Sequence, residues 1–180
     1  ADISKWVLAH FPYWDAAAKN ADKMYNEAVA SMTTLKTWPQ FFVGVFIIAF
    51  LPALFEELAF RGVMQNFLVR WIKLPIIAIL ITSLFFSLIH ASYYLFISRF
   101  ILGMALGMLF YYSKNIWVNT FAHFMNNLMA LSQMFYLNKI KGTKIDVNDM
   151  DTPMPLWSLL ITSVVLIGLF ILFEKISKQN

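Results

Sequence analysis

Long apolar stretches with few charges set the main limit on how this 180-residue chain can fold. Crossing about 30 Å of hydrocarbon takes roughly 20 helical residues, and a backbone inside lipid must satisfy its own hydrogen bonds. Residues do not alternate with a period of two, so helices are indicated rather than a barrel. Hydrophobic residues make up 60% of the chain and charged residues 13%. We therefore predict an all-α, polytopic membrane protein.

Five stretches are candidates for spanning helices, which predicts a bundle of about five. They cover residues 41–54, 74–98, 100–113, 115–138 and 155–173. The stretch 74–98 is long for one span, so we predict a helix followed by a turn near Ala91 to Tyr94. In the third stretch, Gly103 and Gly107 are four residues apart, a spacing typical of close helix packing in membranes.

The first 38 residues have a different composition, because charges, alanines and aromatics recur there at helical spacing. Trp6, Phe11, Tyr13 and Trp14 suit an amphipathic helix whose rings lie at headgroup depth. A soluble loop helix between spans is an equally good interpretation. We therefore divide the chain into an amphipathic segment, 1–38, and a transmembrane helical domain, 39–180. Since no signal peptide is recognisable and the first residue is not Met, the chain is expected to be part of a longer protein.

Composition also excludes several functions. The net charge of +4 is spread over short basic clusters, so no nucleic-acid-binding patch is present. The absence of cysteine rules out disulfides, a thiol nucleophile and thiolate metal ligands. No H-E-x-x-H, no Asp within a span and no G-x-S-x-G is found, which argues against other types of membrane peptidase.

The sequence "FEELAFRG", residues 55–62, places three charged residues directly after an apolar stretch. Ionisable groups inside a membrane are costly and are therefore functional candidates. Glu57 and Arg61 are four residues apart on one helix face, so we expect an ion pair. Glu56 points elsewhere because adjacent helical residues diverge by about 100°. It is the carboxylate left to accept a proton.

Two further stretches carry polar residues. His90 ends the run "FFSLIH", and His123 and Asn127 lie four apart in the fourth stretch, where both can donate hydrogen bonds to one oxygen. Each feature has a structural alternative: an ion pair at the membrane boundary, an interfacial histidine beside Tyr93 and Tyr94, and hydrogen-bonding contacts between helices. Together, a base, a second proton carrier and a pair of donors are what hydrolysis of an amide by water requires.

In their order and on successive segments, "EELAFR", "FSLIH" and "HFMNN" resemble the motifs of the CAAX protease and bacteriocin-processing family of intramembrane endopeptidases, also called CPBP or Abi. The resemblance covers about residues 41–137. It implies that Glu56 activates the hydrolytic water and that His90 helps to hold or deprotonate that water. It further implies that Glu57 and Arg61 form the supporting ion pair of the motif.

The same resemblance implies that His123 and Asn127 stabilise the oxyanion. The reaction would be that of a glutamate peptidase that uses no metal and no cofactor. Members commonly have further spanning helices before the E-E segment. In this chain those helices either lie outside the sequence or are replaced by the segment 1–38.

The leading interpretation is thus a multi-pass peptidase of the cell membrane, with the lipid bilayer and a peptide or protein, prenylated or a leader peptide, as partners. Three other functions stay open. A zinc peptidase would use Glu56, His90 and His123 as ligands. A catalytically silent factor, such as a bacteriocin self-immunity or assembly partner, would use the same residues only to hold the bundle together. A transporter would need paired broken helices, and only Pro52 offers a break.

Overall fold

Five helices make up the part of the chain described by this computed structural model, which is residues 10–33, 35–90, 92–93 and 95–141. In chain order they are α1 (Pro12–Thr33), α2 (Trp38–Ile72), α3 (Pro75–Ile89), α4 (Phe96–Ser113) and α5 (Ile116–Lys141). No strand occurs in these residues, so the prediction of an all-α fold is confirmed for them.

The ends of α2 follow from local sequence. Thr37 and Gln40 form a capping box in which the Thr37 hydroxyl accepts from the Gln40 backbone N–H and the Gln40 side chain accepts from the Thr37 backbone N–H. The helix ends where Lys73 adopts a left-handed conformation, with φ 59°. Lys114 does the same after α4, with φ 51°. Because the next helix begins within two residues in each case, the chain reverses sharply and neighbouring helices pack side by side.

Two π-helical stretches interrupt the regular winding of α2. The first, Val45–Phe50, precedes Pro52, whose ring crowds the carbonyl four residues earlier and whose nitrogen donates no hydrogen bond. The wider π turn absorbs this defect, so the helix continues where the sequence suggested a break. The second stretch, Leu58–Gln65, begins directly after the two carboxylates. Turns of this kind occur frequently at functional sites.

The contact between α3 and α4 depends on glycine. A methyl group added at Gly103 would lie 3.1 Å from the Ser83 Cβ, and one added at Gly107 would lie 2.8 Å from the Ile79 Cγ2. The close packing predicted from the spacing of these glycines is therefore confirmed. The predicted turn is also present, since α3 ends at Ile89 and α4 begins at Phe96.

The count of five spanning helices is not confirmed. In the described part of the chain, α2 and α4 are long and apolar enough to cross a membrane, whereas the apolar α3 has only 15 residues. Helix α5 has 26 residues but does not qualify as a span, because polar side chains interrupt it. The fifth predicted stretch, 155–173, lies outside the described residues.

The predicted N-terminal helix is present as α1. Tyr13 and Trp14 are 80% and 62% exposed, which suits rings lying at an interface, while Trp6 lies outside the described residues. Side chains of α1 also contact the turn between α3 and α4, where Ser92 donates a hydrogen bond to Asp22. Helix α1 therefore packs against the bundle near the end of α3.

Candidate active site

One row of buried polar side chains runs along α2. Glu57 and Arg61 are fully buried and Gln65 is 1% exposed. The Arg61 Nη1 lies 3.0 Å from the Glu57 Oε1, so the ion pair expected from their spacing is present. Arg61 also donates to the Gly103 carbonyl at 3.0 Å, and Gln65 to the Gly107 carbonyl at 2.9 Å. These bonds join α2 to α4 where the glycines lie.

Glu57 is the centre of this buried network. Besides Arg61, its carboxylate contacts the His123 Nδ1 at 3.0 Å and accepts from the Asn119 amide at 3.1 Å. Asn119 is itself fully buried and also donates to the Leu106 carbonyl at 2.6 Å. A buried carboxylate is tolerated when a counter-ion and several donors replace its water. Glu57 has both, and it thereby connects α2 to α5.

Glu56 has different surroundings from its neighbour. Its Oε2 lies 3.6 Å from the His90 Nε2 and 3.7 Å from the His123 Nε2, distances slightly too long for direct hydrogen bonds. This oxygen is shielded from solvent and has no hydrogen-bond partner among the described residues. The Glu56 and His90 side chains are 28% and 24% exposed, whereas His123 is 3% exposed. The three groups thus surround one point at the partly open edge of the buried network.

The other nitrogen of each imidazole has a defined partner. The His90 Nδ1 lies 2.7 Å from the Phe86 carbonyl, which can only accept, so this nitrogen carries the proton. The His123 Nδ1 faces Glu57 and donates to it in the same way. Both Nε2 atoms therefore face Glu56. The ring of Phe86, 1% exposed, packs 4.8 Å from the ring of His90, 5.7 Å from that of His123 and 4.9 Å from the Arg61 guanidinium.

Asn127 is set apart from this group. It lies one turn beyond His123 on α5, and its amide donates to the Ala49 carbonyl of α2 at 3.4 Å. Its side-chain oxygen accepts from Asn126 at 3.5 Å. The structure therefore brings together Glu56, His90 and His123, whereas the Asn127 amide bonds to the backbone of α2 at Ala49.

Asn119 and Gln65 were not among the residues expected from the sequence. A signal for both exists, since Asn119 precedes His123 by four residues and Gln65 follows Arg61 by four. Asn119 thus extends the predicted row of His123 and Asn127, and Gln65 extends that of Glu57 and Arg61. Polar amides in such rows are easily interpreted as general contacts between helices, because the row does not reveal which group they meet.

The zinc alternative requires Glu56, His90 and His123 to bind one metal ion. Within the described residues, no three side chains of His, Cys, Asp or Glu are arranged to hold a metal ion.

The model of the type II CAAX prenyl endopeptidase Rce1-like family matches residues 38–129, just over half of the chain. The chain belongs to this Rce1-like family. All six residues predicted from the sequence motifs lie inside the matched range, and the resemblance to CAAX proteases is confirmed. None of the curated proteins and none of the solved structures compared with the chain matches it.

Membership in the Rce1-like family makes the chain a membrane-integral protein of a protease family. The two long apolar helices, α2 and α4, agree with a membrane location. Helix α2 carries both carboxylates, and the matched range also includes His90, just after α3, and His123, within α5.

Proposed function

We propose that this protein is a multi-pass endopeptidase of the cell membrane that hydrolyses a peptide bond with water activated by Glu56. One observation carries the proposal: the Glu56 Oε2 is shielded from solvent, has no hydrogen-bond partner among the described residues, and lies 3.6 and 3.7 Å from two imidazole nitrogens. Polar atoms that lie this close together without bonding to each other suit a small molecule that contacts all of them.

A water molecule is the proposed occupant of this position. Water can lie about 2.8 Å from each of two polar atoms that are 3.6 Å apart, and it can donate one proton to each. The His90 Nε2 carries no proton when its Nδ1 donates to Phe86, so it is ready to accept. Glu56 and His90 therefore orient the lone pair of the water towards a bound peptide carbonyl.

The chemical steps follow from this geometry. The water oxygen forms a bond to the carbonyl carbon while Glu56 takes a proton from the water, which gives a tetrahedral oxyanion. The bond from carbon to the amide nitrogen then breaks, and protonated Glu56 passes its proton to the departing amine. Glu56 returns to its starting charge, so no other reactant is consumed.

His123 and Asn127 are proposed to stabilise the oxyanion. To donate from Nε2 while its Nδ1 donates to Glu57, His123 must be an imidazolium, and the buried Glu57 carboxylate is its counter-ion. The second N–H of the Asn127 amide supplies the other donor. Glu57 acts through His123, whose Nδ1 it contacts, and Arg61 acts through its ion pair with Glu57.

The substrate is proposed to be a peptide or protein whose cleavage site reaches the membrane, as the name of the family indicates. A prenylated C-terminal peptide is the first candidate, and a leader peptide is the second. Both place a scissile bond near the bilayer, where the partly exposed side chains of Glu56 and His90 can meet it.

The decisive experiment replaces Glu56 with glutamine in protein purified in lipid. Glu56→Gln keeps the shape of the side chain but removes the base, so we expect cleavage of a fluorogenic prenylated peptide to fall at least about 100-fold. The same peptide without the prenyl group and a leader peptide are measured in parallel. The matched control is Glu27→Gln, the same change at a 68% exposed side chain on α1, which should leave the rate unchanged.

Several outcomes would contradict the proposal. Full activity of Glu56→Gln would show that this carboxylate is not the base. Loss of activity on chelation, with recovery on adding Zn²⁺, would favour the zinc alternative. Absence of cleavage by the folded wild-type protein on all three substrates would favour the catalytically silent factor.

A further inference from the structure

Helix α1 is tied by polar contacts to the turn that follows α3. The Ser92 hydroxyl donates to the Asp22 Oδ1 at 2.8 Å, and Ser92 is only 2% exposed. The same hydroxyl accepts from the backbone N–H of Leu95 at 3.4 Å. Ser92 therefore links the backbone of the turn to a carboxylate on α1.

A second link runs through Arg99, in the first turn of α4. One guanidinium nitrogen donates to the His90 carbonyl at 3.3 Å, and the other forms a short hydrogen bond with the Tyr25 hydroxyl. The guanidinium carbon also lies 4.8 Å from the centre of the Tyr25 ring, within the range of a cation–π contact. Arg99 thus joins the backbone of His90 to α1.

The backbone position of His90 matters because His90 lies just past the end of a helix. Helix α3 ends at Ile89, and the backbone N–H of His90 contacts the Leu88 carbonyl. A residue at such a position is less constrained than one within the helix. The Phe86 carbonyl of α3 holds the His90 ring through Nδ1, whereas the His90 carbonyl and the turn that follows it are held from outside α3.

We infer that α1 is a positioning element of the active site, in which Asp22 and Tyr25, acting through Ser92 and Arg99, hold His90 so that its Nε2 faces Glu56. This inference rests on the proposed function, because His90 is assigned there to the hydrolytic water. It gives the N-terminal segment a role in the chemistry in addition to contact with the membrane surface. Arg99 and Tyr25 are positioning residues, since neither reaches the Glu56 carboxylate.

The first test uses Tyr25→Phe and Arg99→Lys. Tyr25→Phe removes the hydroxyl and keeps the ring. Arg99→Lys keeps the charge but removes the forked guanidinium, which contacts the His90 carbonyl and the Tyr25 hydroxyl at the same time. Misplacing a reacting group by about 1 Å can cost up to about 100-fold, so we expect kcat to fall about tenfold or more, with KM within about twofold. The matched control is Tyr13→Phe, on the same helix and 80% exposed, which should change neither constant.

A second readout does not depend on activity. Hydrogen exchange at the backbone amides of residues 90–95 should be faster in Tyr25→Phe and Arg99→Lys than in the wild type and in Tyr13→Phe. If the wild type cleaves no substrate but exchange in the turn responds as expected, the proposed function fails and the structural link stands. Unchanged exchange, or a lower melting temperature with kcat unchanged, would overturn the inference.

The absence of cysteine allows a rescue experiment. Asp22→Cys combined with Ser92→Cys breaks the hydrogen bond and introduces the only two thiols of the chain. We expect the reduced protein to have a lowered kcat, and a short thiol-specific crosslinker to restore it at least about fivefold, because the link to α1 is remade. A crosslinked protein no faster than the reduced one would contradict the inference.

Discussion

The two adjacent carboxylates, Glu56 and Glu57, show how one step along a helix separates two environments. Their side chains diverge by about 100°, so Glu57 turns into the bundle, where it is fully buried among Arg61, Asn119 and His123. Glu56 turns to the edge of the same network and faces two imidazoles without bonding to either. The first carboxylate is suited to holding structure and the second to exchanging protons.

Asn119 is expected to stabilise the site through Glu57. Asn119→Ala removes the bond to the Leu106 carbonyl and the donor to the buried Glu57 Oε2. We expect a loss of about 1–3 kcal/mol in the free energy of unfolding. Activity should also fall, because Glu57 orients His123. Thermal or denaturant unfolding in detergent, together with peptide cleavage, measures both effects.

Asn126→Ala is the control for this change. It is the same substitution on the same helix, at an exposed residue whose amide makes only a 3.5 Å contact with Asn127. Surface changes of this kind usually stay within about 0.5 kcal/mol. Equal stability losses in the two variants would show that the Asn119 bonds contribute nothing specific.

At the scale of helices, α4 serves both packing and hydrogen bonding. Its glycines let α3 approach closely, and the carbonyls of the same two glycines accept bonds from Arg61 and Gln65 of α2. Small residues permit such contacts because no side chain stands between the backbones. The polar row of α2 is therefore held in register by the backbone of α4.

A methyl group at Gly107 should disturb this contact. Gly107→Ala would bring the new carbon to 2.8 Å from the Ile79 Cγ2 and 3.2 Å from the Gln65 Oε1, so these side chains or their helices must shift. Overpacking of this kind costs about 1–3 kcal/mol, measurable as a lower melting temperature in detergent.

The comparison is Gly62→Ala in α2, where the added carbon meets only the Glu57 carbonyl at 3.9 Å. Alanine favours a helix over glycine by up to about 1 kcal/mol, so this variant should be as stable as the wild type or more stable. If both alanine variants melt at the wild-type temperature, the contact between α3 and α4 is looser than the structure indicates.

At the scale of the molecule, polarity in the described residues is arranged as expected for a protein in lipid. Large apolar side chains are exposed along α2, among them Phe42, Phe46, Phe55, Val63 and Phe67. Charged and amide groups, including Arg61 and Asn119, are fully buried. In water such an exterior would aggregate, whereas in a bilayer it contacts acyl chains and leaves the polar groups to meet each other.

Alkaline carbonate extraction tests this arrangement. We expect the protein to remain in the membrane pellet and to be released only by detergent, because its apolar exterior is solvated by lipid rather than held by charge. A peripheral membrane protein serves as the control and should appear in the supernatant. Release of the protein together with that control would contradict an integral location.

Much of the fold and part of the site could be predicted from the sequence. The apolar stretches predicted helices, and the spacing of Glu57 and Arg61 predicted their ion pair, because contacts within one helix depend only on residue number. The number of spans was harder to predict. Both α3 and α5 come from stretches that were predicted to span. Helix α3 has only 15 residues, and polar residues interrupt α5, so neither is among the helices long and apolar enough to cross a membrane.

The sequence by itself determined the helical class, the membrane family and the residues able to do acid–base chemistry, since each is encoded in local composition and spacing. Only the tertiary structure decided that His90 and His123 both face Glu56, that Asn119 completes the surroundings of Glu57, and that Arg99 connects His90 to α1. These contacts join residues distant in the chain. They depend on how separate helices pack, and no local pattern records that packing.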